Sequence, residues 1–144
     1  LEGMLDDDRV RYRGIPVAQL REVWPLLQYG LNVVRDTNKE PWINEDVYAS
    51  LLHGRSVLYL FEDAATDELL GFAIFESIFF PYEFRPRLNM WIGWAREKGL
   101  GYLGYELARR IARVAGIDSV VFCTPQENGW VMRHWKLFTW YEGQ

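Results

Sequence analysis

The sequence predicts a mixed α/β (α+β) domain, with a mostly antiparallel central sheet, helices on both faces and one parallel strand pair. Three observations carry this. Segments rich in β-branched and aromatic residues follow one another across short polar turns, the pattern of hairpins. Other segments repeat apolar residues at three- and four-residue spacing, the pattern of helices. A strand, a helix and a strand then run from residue 88 to residue 123, long enough for a parallel crossover.

Val10 and Tyr12 alternate with arginines over Arg9 to Tyr12, a short strand closed by Gly14. Pro16 suits a first helical position, and Val17, Leu20, Trp24, Leu27 and Leu31 follow at helical spacing, with Pro25 expected to kink or split the helix. Residues 36–41 (DTNKEP) read as a loop. Asn44 reads as the N-cap of a second helix that His53 and Gly54 end. Ser56 to Glu62 and Leu69 to Phe80 form a hairpin, and Pro81 and Pro86 bracket a turn before a third strand, Leu88 to Ala95. Gly93 suggests a bulge there. Leu100, Leu103, Leu107, Ile111 and Val114 mark the next helix, ended by Gly116. Ser119 to Cys123 is a buried strand. Gly129 to Phe138 is expected to be a last helix, with a short strand at 139–142 after it.

The 144 residues, 49% hydrophobic and 25% charged, suit one domain with one core and exclude disordered and fibrous classes. Residues 1–3, ahead of Met4, read as a cloning remnant, which leaves a single domain over 4–144. No apolar run reaches the length of a membrane span, and the acidic start LEGMLDDDRV is unlike a secretory leader. One cysteine, Cys123, forms no internal disulfide and fits a reducing, cytoplasmic setting. The net charge of −4 argues against nucleic acid as a partner, and nothing points to a membrane. Aromatic residues make up 16% of the chain, which fits a bulky core or an aromatic-lined cleft.

The segment Arg96-Glu97-Lys98-Gly99-Leu100-Gly101 (RxxGxG) lies between a strand and a helix. Free N–H groups of a helix's first turn and its dipole favour an anion there. Glycines let the backbone wrap a diphosphate, and Arg96 and Lys98 add charge. With Gly104 the run also reads GxGxxG, the dinucleotide fingerprint. That reading fails on context, because the next strand ends Val121-Phe122-Cys123-Thr124 with no carboxylate for a ribose.

Here the chain resembles the GNAT (Gcn5-related) N-acetyltransferases. The resemblance covers the element order over nearly the whole chain. Its specific part is residues 96–101, matching the family's Q/R-x-x-G-x-G/A motif in sequence and position, with Asn128 as a second match. It implies a GNAT-like fold and acetyl-CoA as cosubstrate, with the diphosphate on the backbone of residues 97–101. It also implies pantetheine between strands 88–95 and 119–123, which splay near Gly93. The cofactor-binding set so implied is Ile92, Trp94, Arg96, Glu97, Lys98, Gly99, Leu100, Gly101 and Asn128. The activity implied is N-acyl transfer to a small amine or a protein amine. The family's frequent general-acid tyrosine falls on Trp135, whose indole has no proton of usable pKa. The ending GWVMRHWKLFTW is similar to short GNAT-like proteins of phages and prophages. That likeness implies an alternative: a GNAT fold that binds CoA or a partner, a second copy or a phage protein, without efficient catalysis.

Direct amine acetylation needs a base, a polarised carbonyl and a stabilised leaving thiolate. Glu76 and Glu83 are candidate bases, each also readable as a solvated or turn carboxylate. Tyr141 is a candidate acid, as are Tyr102 and Tyr105, each also readable as structural. Cys123 reads as a buried inert thiol rather than a nucleophile. His53, His134 and Cys123 lack metal-ligand spacing, so no metal is expected. Trp24, Tyr29, Trp42, Phe79, Phe80, Tyr82 and Phe84 suggest an apolar or aromatic acceptor, or a docking patch.

Overall fold

The computed structural model describes residues 1–6, 8–79, 86–97, 99–117, 119–126 and 129–136. These form β1 (Glu2–Leu5), β2 (Val10–Gly14), α1 (Val17–Asn38), α2 (Asn44–Leu52), β3 (Val57–Asp63), β4 (Leu69–Phe79), β5 (Pro86–Ala95), α3 (Tyr102–Ala115), β6 (Ser119–Gln126) and β7 (Gly129–Lys136). All seven strands lie in one sheet in chain order. Neighbours are antiparallel except β5 and β6, which run parallel as the strand–helix–strand order requires. No helix among the described residues is long and apolar enough to cross a membrane.

Each central strand buries both faces, which explains the near-continuous apolar runs. On one face α1 and α2 lay Leu20, Leu27, Leu31, Val47 and Leu51 over Leu58, Leu60, Phe72, Ile74 and Ile92. On the other, α3 lays Leu103, Leu107, Ala108 and Ala112 over Phe61, Phe75, Leu88 and Val120. The helices therefore flank the sheet, and the strand alternation decides which cavity a residue can reach.

Several boundaries differ from the sequence reading. Glu2 and Gly3, set outside the domain by sequence, pair with Arg13 and Tyr12 in β1. Pro25 leaves α1 unbroken, because Pro25 and Arg21, whose carbonyl the ring frees, both face solvent. The expected loop at 36–41 shrinks accordingly: α1 runs to Asn38 and stops at Lys39 in the left-handed region (φ 53°, ψ 47°). Asn44 is the first residue of α2 rather than its cap; Ile43 is the cap, and its N–H donates to Asp46 Oδ2 at 3.0 Å. The Asn44 side chain instead ties α2 to α1, accepting from Arg35 at 2.7 Å and donating to Gln28 at 2.8 Å. The bulge in β5 is at Trp91, not Gly93: Ile74 pairs with Ile92 and Phe75 with Met90, leaving one residue extra.

The largest correction concerns the chain's end. Residues 129–136 form β7, antiparallel to β6 from Gln126↔Gly129 to Ser119↔Lys136, where the sequence reading has a helix. Val131 and Trp135 at four-residue spacing fit a helix face, but Trp130, Val131 and Trp135 are strand formers. Asn128-Gly129 is also the strongest short hairpin signal. β6 shares only three residue pairs with β5, so β7 supplies most of its ladder. Trp135 stands opposite Val120 on a strand, and the placing of a residue there by helical register no longer holds. The closing strand read at 139–142 lies outside the described residues.

Candidate active site

Between β5 and α3 the chain turns through the RxxGxG segment. Gly99 has φ 91°, a conformation that favours glycine, and Gly101 opens the helix at φ −61°. A Cβ at Gly99 or Gly101 would meet nothing within 4 Å, so the turn borders open space. The N–H groups of Leu103 and Gly104 bond back to Leu100 and Gly101 at 3.1 and 3.3 Å. Those of Gly101 and Tyr102 find no backbone acceptor among the described residues. Such a helix end attracts anions.

The neighbouring sheet is open. β5 and β6 pair only at Leu88↔Val120, Asn89↔Val121 and Met90↔Phe122, after which each strand follows its other neighbour. A cavity of about 600 Å³ occupies this region. Leu100, Gly101, Gly104 and Tyr105 line it from the α3 side, and Val34, Asn38, Glu40 and Pro41 from the α1 side. Met90, Trp91 and Trp94 of β5 lie between. The cavity thus connects the glycine turn with the opposite face of the sheet.

The sequence-predicted residues distribute unevenly around it. Leu100, Gly101 and Trp94 line the cavity, and Gly99 precedes it in the turn. Ile92 is buried in the core beneath α1 and α2, so its side chain is not offered to a ligand. Arg96 does not point its charge at the turn: its guanidinium donates to Glu68 at 3.0 Å and Glu97 at 3.4 Å, and these carboxylates raise its pKa. Its backbone N–H bonds Leu70, so Arg96 ends the sheet pairing. Lys98, Glu83, Asn128 and Tyr141 lie outside the described residues, as do Phe80, Tyr82 and Phe84.

Glu76 and Asn89 are cross-strand partners on the α1 face, and Asn89 Nδ2 donates to Glu76 Oε1 at 2.7 Å. Asn89 lines the cavity, whereas Glu76 does not. Of the tyrosines, Tyr105 lines the cavity one turn after Gly101, whereas Tyr102 is exposed. Among the described residues no group of three or more His, Cys, Asp or Glu could hold a metal ion.

Glu40 was not singled out by sequence. It is half-buried on the cavity wall, burial pushes its carboxyl pKa up, and no cationic side chain among the described residues pairs with it. The nearby indole N–H of Trp42 works against that rise without reaching full hydrogen-bond geometry, and among the described residues Nε1 is a buried donor without a partner. Trp42 in turn meets Trp91 edge-on, centroids 6.5 Å apart. The only signal in the sequence was Glu40-Pro41-Trp42, an acidic and aromatic loop between two helices.

No protein-family model matches the sequence, and no curated protein matches it. Solved structures do. A probable acetyltransferase superposes with a TM-score of 0.62 at 18% identity, over 82% of this chain and 81% of that one. A ribosomal-protein-alanine N-acetyltransferase from Brucella melitensis biovar Abortus gives 0.61 at 15% identity, over 82% of each chain. A GNAT family acetyltransferase from Staphylococcus aureus gives 0.59 at 14% identity, over 85% of this chain and 92% of that one. With a parallel strand pair that opens beside a glycine turn and helix N-terminus, the chain has the fold of the GNAT (Gcn5-related N-acetyltransferase) superfamily.

Proposed function

We propose that the chain is an acetyl-CoA-dependent N-acyltransferase acting on an amine. The observation that carries this is the cavity that joins the glycine turn at residues 99–101 to the opposite face of the sheet where β5 leaves β6. The open space beyond Gly99 and Gly101 fits a diphosphate, which the backbone N–H groups of residues 99–102 would hold. Acetyl-CoA, when bound, supplies an acyl group activated as a thioester. The α1 side would receive the amine. There Glu40, with its raised pKa, is the candidate base in preference to Glu76, whose Oε1 is engaged by Asn89. Tyr105, which lines the cavity, is the candidate acid among the described residues, and Tyr141 lies outside them.

The test is a thermal-shift titration with CoA, followed by thiol release from acetyl-CoA over a panel of amines. A ligand that binds the native state alone must raise the melting temperature. A rise that Gly101→Asp abolishes supports the site, since a carboxylate there repels the diphosphate. No rise for folded wild type overturns it. A rise with no turnover on any amine favours the alternative, a protein that binds CoA without efficient catalysis.

A further inference from the structure

The α1 end of the cavity has a chemical character of its own. Glu40 is the single charged side chain among the described residues that line the cavity. It is half-buried and lacks a cationic partner among the described residues. Taking a carboxylate partly out of water without a counter-ion is unfavourable, and a bound cation would relieve it. The other surfaces at this end are aromatic. Trp91 is thrown out of the β5 ladder by the bulge and rests edge-on against Trp42. Trp94 packs against Phe72 with the rings tilted by 33° and centroids 5.7 Å apart, and meets Tyr29 edge-on. Indole faces favour both flat apolar groups and cations.

From this geometry, and resting on the acyltransferase reading for its biological sense, we propose that the acceptor is a monocationic primary amine carried on a flat aromatic body. Its ammonium pairs with Glu40 and its ring lies against Trp91 and Trp94. Among the described lining residues, an acidic or phosphorylated acceptor would meet a carboxylate and no cation. A polycation would find one carboxylate among those residues where it needs several. A neutral aromatic alcohol fits the aromatic walls but leaves Glu40 without a counter-ion. In transfer, the ammonium would give one proton to Glu40, and the nitrogen lone pair so freed would form the new N–C bond as the thioester C–S bond breaks. The second amine proton would leave with the CoA thiolate as the free thiol.

The experiment is calorimetric binding to the wild-type chain at pH 7, with and without saturating CoA. The probes are 2-phenylethylamine, 2-phenylethanol, 3-phenylpropionate and spermidine. Tenfold or greater preference for 2-phenylethylamine over 2-phenylethanol is expected, with 3-phenylpropionate and spermidine weaker than the amine. Glu40→Gln should erase the preference, and Glu22→Gln, an exposed carboxylate on α1, should keep it. Equal binding of amine and alcohol, stronger binding of spermidine, no binding of any probe, or a preference that survives Glu40→Gln would each overturn the proposal. The wild-type comparison stands without any variant. If the amine preference holds but CoA gives no thermal shift, the acyltransferase reading fails and this one survives. A CoA shift without the preference has the reverse meaning.

Discussion

Gly104 of α3 lies so close to Met90 of β5 that a Cβ added at Gly104 would stand 3.2 Å from the Met90 sulfur. Met90 is also the last residue of β5 to pair with β6, so this contact marks where the sheet begins to open. Methionine is unbranched and can move by the few tenths of an ångström required. Replacing glycine by alanine in a helix interior gains about 1 kcal/mol. Gly104→Ala should therefore leave the unfolding free energy unchanged or raise it by up to about 1 kcal/mol. Gly104→Leu should fill the space beside Met90 and remove the CoA thermal shift while the fold survives. Urea denaturation and CoA titration of both variants check this.

Gly30 gives the opposite result for the same substitution. Its Cβ would lie 2.5 Å from Phe72 Cε2 and 2.7 Å from Trp94 Cδ2, both ring atoms packed between α1 and the sheet. Rings held there cannot yield as Met90 can. Gly30→Ala should cost about 1–3 kcal/mol through overpacking, outweighing the gain in helix propensity. Because Trp94 lines the cavity, amine binding should weaken as well. Urea midpoints together with amine calorimetry measure both effects.

Comparing these two glycines shows what the sequence made legible. The periodicity that placed Leu103 and Leu107 on one face of α3 is local, and the structure buries both. The hairpin of β3 and β4 was equally local, as was the glycine turn before α3. What Gly30 touches depends on where α1 crosses the sheet, and spacing does not encode that. Glu40 was invisible for the same reason: its meeting with β5 joins residues some fifty positions apart. Arg96 looked available because Glu68, which holds it at 3.0 Å, lies 28 residues earlier. At the chain's end the local pattern was ambiguous between helix and strand, and pairing with β6 decided it.

Two carboxylates should answer pH in opposite senses. Asp63 Oδ1 accepts from the N–H groups of Ala65 at 2.8 Å and Thr66 at 3.1 Å, which lower its pKa from 3.8. Its contribution is present above that value and lost as pH falls through the lower folded-state value. Glu40 is raised above 4.5 by burial, so its charged form is disfavoured in the folded chain. Its contribution favours folding below 4.5 and is lost as pH rises through the folded-state value. Glu40→Gln should therefore melt higher than wild type at pH 7 and match it at about pH 4. Asp63→Asn should melt lower at pH 7, with the gap closing below about pH 3. Melting curves across this range distinguish the two.

The Glu76–Asn89 bond makes the choice of base testable. Asn89 Nδ2 holds Glu76 Oε1 at 2.7 Å, and Asn89 lines the cavity whereas Glu76 does not. Glutamine at position 76 keeps the carbonyl oxygen that Asn89 needs, so the cross-strand bond survives in Glu76→Gln. Only the charge is lost. A general base is worth roughly 100- to 10,000-fold in rate. Glu40→Gln should therefore lower kcat for acetyl transfer by at least about 100-fold and remove the acidic limb of the pH–rate profile. Glu76→Gln should cost less than about tenfold and leave that limb in place. The measurement is initial-rate thiol release from pH 5 to 9 for the two variants and wild type. A lost acidic limb in Glu76→Gln, with the limb kept in Glu40→Gln, would move the base to β4 and mean that Asn89 turns aside when the amine binds.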